Sequence, residues 1–429
     1  MKGSVYTPGA GHSPRVLAGR DALLHDFELM LNDVSVEGRV RAQDIILSGP
    51  RGVGKTVTVT AYGTLAASTG YEVVNLQAVA GQAGLVDSLL HRASGKLQAG
   101  AGPWQRAKKA FDRLAGVNLS AAGFAAGVST HPKESRVPPT DAGTLAEALL
   151  AVASEVRKDR PSGGLLITLD EVQVASPPDL ALLAATLHRL NVDHPQAAVV
   201  FTGTGLPHTP EALRKAGVTH PDRLFTLEPL PLTLSRDDAA YAIVEPARRV
   251  GVSWQPEAVE RVVAASNGYP AHLQLFAHTT WLAAPGPTVV TLADVDAALP
   301  TAAAQLQHRS FGPRWDRMPD RQMEFLAALA LAGGRATTAQ LGMMLGRTAS
   351  ELSWIRQALL EEGDVFAPKR GQLSLTVPLM GPFVLANYEQ ARAEADNSGI
   401  LSLEAMCRNG GLPAGELPPG TNSAPAPLA

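Results

Sequence analysis

Cysteine, aromatics and lysine are all in short supply in this 429-residue chain. The one cysteine, Cys407, cannot form an intrachain disulfide, which fits a reducing compartment. Aromatic residues make up 5% against 45% hydrophobic residues in total, so the core must rest on Ala, Val and Leu. Only nine of the 37 basic side chains are lysine, a balance that with abundant Ala, Gly and Pro suggests a high-GC bacterial genome. An excess of positive charge is also missing. The formal net charge of −3 excludes a globally basic nucleic-acid binder and leaves room only for a local DNA contact. No run of about 18 uncharged apolar residues suits a membrane span, and Met1 to Pro8 lacks the apolar stretch of a signal peptide. The expectation is a cytoplasmic protein without a membrane partner.

The length calls for two or three domains. After a Gly/Pro-rich start, Arg20 to Asn32 carries Leu23, Leu24, Phe27, Leu29 and Met30 at helical spacing. Asp44-Ile45-Ile46-Leu47-Ser48 reads as a strand, Val57 to Ala67 as a helix, and Tyr71 to Leu76 as a second strand. Gly164 to Leu169, Ala197 to Thr202 and Leu224 to Leu227 read as three more, with a helix marked by Leu180, Leu183, Leu187 and Leu190 between the first two of these. This alternation predicts an α/β fold with a doubly wound parallel sheet. Residues 99–139, basic around Arg106, Lys108 and Lys109 and then small and apolar from Val117 to Val128, fit the scheme poorly and read as an insertion.

The octet Gly49-Pro50-Arg51-Gly52-Val53-Gly54-Lys55-Thr56 matches G-x-x-x-x-G-K-[ST] between a strand and a helix, the context a phosphate-binding P-loop requires. Its glycines let backbone N–H groups close around phosphates, Lys55 reaches the β/γ-phosphates, and the Thr56 hydroxyl can ligate Mg²⁺. The strand ending in Asp170-Glu171 supplies the rest: Asp170 for the Mg²⁺ shell and Glu171 to polarise an attacking water. ATP and Mg²⁺ are therefore the expected ligands, and hydrolysis is favoured over binding alone.

From Ser235 the pattern turns helical, and a Pro/Arg-rich joint from Phe311 to Pro319 precedes a third unit. There Thr338 to Leu345 and Ala349 to Leu360 read as helices around a Gly346-Arg347 turn, and Leu373 to Val377 as a strand, an order that spells a winged helix. From Arg321 to Tyr388 six basic residues face five acidic ones. Arg347, Arg356, Lys369 and Arg370 are the candidates for phosphate contacts to duplex DNA, with Ser350 and Ser353 beside them. A protein-docking or packing module is the alternative. The Pro/Gly/Ser-rich stretch from Gly410 to Ala429 suggests disorder.

Leu17-Ala18-Gly19-Arg20-Asp21, the P-loop, Thr168-Leu169-Asp170-Glu171 and Asn267-Gly268-Tyr269-Pro270 together resemble bacterial AAA+/STAND-type ATPases. The pattern is similar to that of the archaeal-type and origin-recognition-initiator groups. The resemblance implies a P-loop ATPase domain over 1–232, a helical lid over 233–310, a winged helix-turn-helix over 320–388, and a helical extension with a tail over 389–429. It also implies that Pro14, Val16 and Leu17 line the adenine pocket with support from Arg20, and that Pro270 belongs to the nucleotide-binding set. Thr204 or Thr202 would sense the γ-phosphate, and Arg223 would reach the ATP of a neighbouring subunit in a homo-oligomer, although an ordinary surface arginine reads the same way. The lid has His272 where initiators carry a sensor arginine. Three outputs stay open: an ATP-driven switch acting on DNA, a signalling or conflict-response ATPase acting on a protein, and a nucleotide-bound scaffold.

Overall fold

The computed structural model describes residues 3–9, 11–35, 44–79, 84–85, 88–89, 92, 102–108, 141–284, 288–369, 371–377, 379–394 and 399–412. The chain divides into two compact units, one of Arg20–Ser48 and Lys55–Leu230, the other of Met1–Gly19, Gly49–Gly54 and Pro231–Ala429.

The first unit is α/β. Strands β1 (Asp44–Ser48), β2 (Glu72–Gln77), β3 (Leu165–Asp170), β4 (Val199–Gly205) and β5 (Phe225–Pro229) form a parallel sheet in the order β2-β3-β4-β1-β5. A parallel sheet covered on both faces needs apolar strands rather than alternating ones. Accordingly β4 is buried throughout and β3 is buried up to Asp170. One face carries the helices Ala142–Asp159 and Pro177–Asp193, whose Leu145, Leu149, Val152, Leu180, Leu183, Leu187 and Leu190 join Ile167, Val199 and Phe201 in a single core. The helix Lys55–Ser68 packs on the sheet without sharing that core, which places it on the other face. There Phe27 of the helix Asp21–Ser35 stacks on Tyr62 with ring centroids 4.0 Å apart.

The expected strands and the parallel sheet are present. The 142–159 helix was not foreseen. Asp141 caps it by accepting from the backbone N–H groups of Gly143 (2.8 Å) and Thr144 (3.0 Å).

Of the expected 99–139 insertion, residues 102–108 are described and the part from 109 onward lies outside the described residues. Gly102–Arg106 is a short helix that belongs to the core: Trp104 is fully buried and its Nε1 donates to Glu72 Oε1 at 3.1 Å. A buried indole needs such an acceptor. Arg106 adds contacts to Glu155 (2.8 Å) and Asp159 (2.6 Å) on the 142–159 helix.

The second unit begins with the helices Arg236–Arg248, Pro256–Ser266, Pro270–Ala283 and Leu292–Leu306, with a short parallel pair β6 (Ser253–Trp254) and β7 (Val289–Val290). A π-turn at Gln307–Phe311 and a short helix Gly312–Trp315 lead to the helix Asp320–Leu331. Then come β8 (Arg335–Thr337), the helices Thr338–Leu345 and Ser353–Glu362, β9 (Val365–Lys369), β10 (Gln372–Leu375) and the helix Met380–Glu394. The three strands form an antiparallel sheet in the order β8-β10-β9.

The first helix of this segment ends as the sequence predicts, because Gly346 takes the left-handed conformation (φ 61°) that closes it. The second starts at Ser353, four residues later than expected. Thr348 N–H and Oγ1 both donate to Glu351 (2.8 and 2.7 Å), which holds this stretch as a turn. A last helix, Leu403–Gly410, packs on Thr338–Leu345 and Asp320–Leu331 and buries Cys407. Among the described residues no helix is long and apolar enough to cross a membrane.

Candidate active site

In the α/β unit the chemistry collects at the carboxyl ends of β3 and β4 and at the start of the Lys55–Ser68 helix, the edge where ligands of open α/β sheets bind. Lys55 is buried and Thr56 half-buried at that helix N-terminus. The Thr56 hydroxyl lies 3.2 and 3.1 Å from the two carboxylate oxygens of Asp170. Two neighbouring ligands of an octahedral ion at ~2.0–2.1 Å stand about 2.9 Å apart, so this pair fits the inner or water shell of Mg²⁺. Among the described residues no three His, Cys, Asp or Glu side chains gather to hold a metal. One carboxylate and one hydroxyl match an ion that keeps waters and substrate phosphates for its remaining positions.

Thr204 ties the two acids together. Its hydroxyl donates to Asp170 Oδ1 and accepts from the backbone N–H of Glu171 at 3.0 Å. With its single proton committed to Asp170, Thr204 here orders the acidic pair. Thr202, two residues earlier on the same strand, is fully buried, and its Oγ1 has no hydrogen-bond partner.

Glu171 follows β3 with φ 58° and ψ 50°, one of two non-glycine residues at positive φ among the described residues. That backbone turns its side chain away from the strand direction at a cost of about 1–2 kcal/mol. Its carboxylate is met by Gln173, whose Nε2 donates to Glu171 Oε2. Sequence reasoning missed Gln173; its place two positions beyond the acidic pair was the only signal. Arg223 lies exposed in the short helix Pro221–Leu224. Arg20 is buried.

In the second unit the loop Gly49–Gly54 carries Gly52 at φ 86° and Gly54 at φ 95°. A Cβ at Gly52 would lie 2.9 Å from the Tyr269 ring and 3.1 Å from Ala271 Cβ, so only glycine fits. Tyr269, fully buried, donates its hydroxyl to the Arg51 carbonyl. Pro270 opens the Pro270–Ala283 helix at N1, the first-turn position that suits proline. One turn in, His272 is buried against Tyr269, Phe276 and Phe311, with no partner for Nδ1. Burial pulls its pKa down to about 4, so it is neutral near pH 7 and offers no positive charge where a sensor arginine would. Val16 is buried, and Pro14 and Leu17 are half-buried.

The candidate DNA-facing residues divide. Arg347 pairs with the buried Glu324 at 3.2 Å, beside Arg321 at 3.0 Å, and Leu401 N–H donates to the same carboxylate at 2.9 Å. Desolvation raises the Glu324 pKa, and the two guanidiniums compensate the buried charge. Lys369, Ser350 and Ser353 are exposed and Arg356 is half-buried, while Ile355 and Leu359 are buried. Arg370 lies outside the described residues.

Within the α/β unit the Thr56 hydroxyl at the start of the Lys55–Ser68 helix thus meets the Asp170 carboxylate at the end of β3, with Glu171 next in the chain. Residues 16–200 match the model of the AAA ATPase domain. The AAA ATPase domain match takes in Val16, Arg20, the octet, Asp170 and Glu171, and stops before Thr204 and Arg223. A second model, Domain of unknown function (DUF8462), matches residues 308–384. Among curated proteins nothing matches the chain. Two solved structures share its fold. ORC2 of Aeropyrum pernix, in ADPNP-ADP complexes, is 14% identical with a TM-score of 0.54, covering 91% of this chain and 100% of that one. The Walker-type ATPase PABY2304 of Pyrococcus abyssi is 15% identical with a TM-score of 0.52, covering 86% and 96%.

Proposed function

We propose that this chain is a Mg²⁺-dependent ATPase that uses hydrolysis as a conformational switch. The observation that carries the reading is the Thr56–Asp170 pair, 3.1–3.2 Å apart, with Glu171 next in the chain and Thr204 joining both acids. The AAA ATPase domain match and the ADPNP-ADP complexes of the Aeropyrum protein support ATP as the ligand.

On this reading the backbone N–H groups of Gly49 to Gly54 and the Lys55 ammonium hold the phosphates, with Val16, Leu17, Arg20 and Pro270 toward the base. Thr56 and Asp170 hold Mg²⁺, which when bound neutralises charge developing on the β- and γ-phosphate oxygens. Glu171 orients a water and takes its proton as the water oxygen bonds to the γ-phosphorus and the bond to the β,γ-bridging oxygen breaks. The helix–strand–helix–helix–hairpin order of 320–388 supports a winged helix as the output module, with the helices of 233–310 as a lid. DNA is its proposed partner, through Lys369, Arg356 and the wing, and Arg223 serves a neighbouring copy.

The test is steady-state ATP hydrolysis by the full chain with and without duplex DNA, beside Lys55→Ala and Glu171→Gln. Wild-type turnover lost in both variants supports the site. DNA retention that weakens steeply with salt supports the output. Turnover that survives both substitutions sinks the site assignment, and salt-independent or absent retention sinks the DNA association.

A further inference from the structure

We infer that Gln173 is a positioning residue for the hydrolytic water: it fixes the Glu171 carboxylate and couples it to the turn that follows β4. The inference rests on the reading of Glu171 as the general base.

The Gln173 amide bridges two groups of opposite character. Nε2 donates to Glu171 Oε2, and Oε1 accepts from Leu206 N–H at 3.1 Å. Thr209 Oγ1 lies 3.4 Å from the same Oε1 but gives its proton to Leu206 O at 2.6 Å, so Leu206 N–H is the donor that sets the amide's orientation. An ionised carboxylate only accepts and a backbone N–H only donates. A side chain spanning them must carry one donor and one acceptor on the same rigid plane, which Gln173 does and an acid or an aliphatic residue of the same length does not.

The bridge adds a restraint on the Glu171 carboxylate to the one on its backbone. Its N–H is held by Thr204 in the strained left-handed conformation, and Gln173 is the one hydrogen-bond partner of its carboxylate among the described residues. The bond engages Oε2, and on this proposal Oε1 takes the water. Leu206 begins the turn immediately after Gly205 on β4, and Thr209 opens the helix that follows that turn. A shift of that turn would therefore move the amide and, with it, the base. Thr204 and Gln173 thus hold Glu171 from the same strand end, one through its backbone and one through its carboxylate.

Two variants separate the amide's two contacts. Gln173→Glu keeps an acceptor for Leu206 N–H but sets a second carboxylate against that of Glu171, which repels it. Gln173→Met keeps the length and loses both contacts. Single-turnover hydrolysis by the full chain in excess over ATP reads even a slow rate, and equilibrium ATP binding is measured beside it. Both variants are expected to lose on the order of ten- to a hundredfold in rate with ATP affinity unchanged. In a Glu171→Gln background Gln173→Met should then remove nothing further. A wild-type rate in Gln173→Glu, or an equal loss from Gln173→Met with and without Glu171, overturns the proposal while leaving the base assignment intact. A wild-type rate in Glu171→Gln overturns the base assignment itself. A reading independent of turnover is solvent exchange of the Gln173 side-chain N–H: slow in wild type and fast in Glu171→Ala is expected, and equal exchange in both overturns the bridge.

Discussion

The Tyr269 hydroxyl donates to the backbone carbonyl of Arg51, joining the Gly49–Gly54 loop to a residue 218 positions later in the chain. The ring is fully buried, so it serves as a fixed post against which residues 51 and 52 are shaped. Tyr269→Phe keeps the ring and removes only the donor. We expect a loss of about 1 kcal/mol in urea unfolding and roughly fivefold weaker ATP binding, since the loop must then be ordered by the nucleotide alone.

Gly52→Ala should be more severe. Its Cβ meets the Tyr269 ring at 2.9 Å while φ stands at 86°, so strain and overlap add to about 2–3 kcal/mol, and ATP binding falls with them. Gly217→Ala is the control: φ is 91° but the space around it is open, and a cost of about 1 kcal/mol from strain alone is expected. Thermal unfolding of the two variants side by side decides it.

Arg347 and Lys369 should behave as different kinds of residue. Arg347→Ala leaves Glu324 buried with one guanidinium instead of two and should destabilise the second unit by about 2 kcal/mol. Lys369→Ala should leave unfolding unchanged. If the module binds DNA, Lys369→Ala should lower the slope of log affinity against log salt by about 1. Equal stability of the Arg347→Ala variant and wild type would overturn the structural role given to Arg347.

His272 gives the second unit an acid sensitivity of known sign. The imidazole titrates at about 4 when folded, below the ordinary 6.5 of an unfolded chain. Between these values the unfolded state binds a proton that the folded state refuses. Its contribution is therefore undiminished above the unfolded value and is lost as pH falls toward the folded one. His272→Leu should remove this slope, and from about pH 7 to pH 5 wild type should lose about 2 kcal/mol more than the variant in urea titrations.

Much of the first unit was legible in the sequence because its signals are local. The β1 strand falls on Asp44–Ser48, and the Leu180, Leu183, Leu187, Leu190 series marks a helix whose stripe is buried, since periodicity reports which face meets the core. The helix at 142–159 was missed because its alanines blur the apolar stripe. Trp104 stands beside the basic residues around Arg106 in a poorly patterned stretch, and only its burial and the acceptor at Glu72 reveal it as core.

The sequence by itself determined the chemistry that a short stretch can encode: the octet at Gly49, the acidic pair closing β3, and the helix and strand periods around them. These depend on spacing within a turn or two of chain. Tertiary structure alone decided which distant groups share one side chain's hydrogen bonds. It set the strand order β2-β3-β4-β1-β5 that brings Asp170 to Thr204 and Thr56. It gave Gln173 two partners of opposite polarity, paired Arg347 with a buried acid, and set Tyr269 on the Gly49–Gly54 loop. The physical reason is that an arginine, a glutamine or a tyrosine carries the same donors wherever it stands, and only the folded chain selects which acceptor those donors meet.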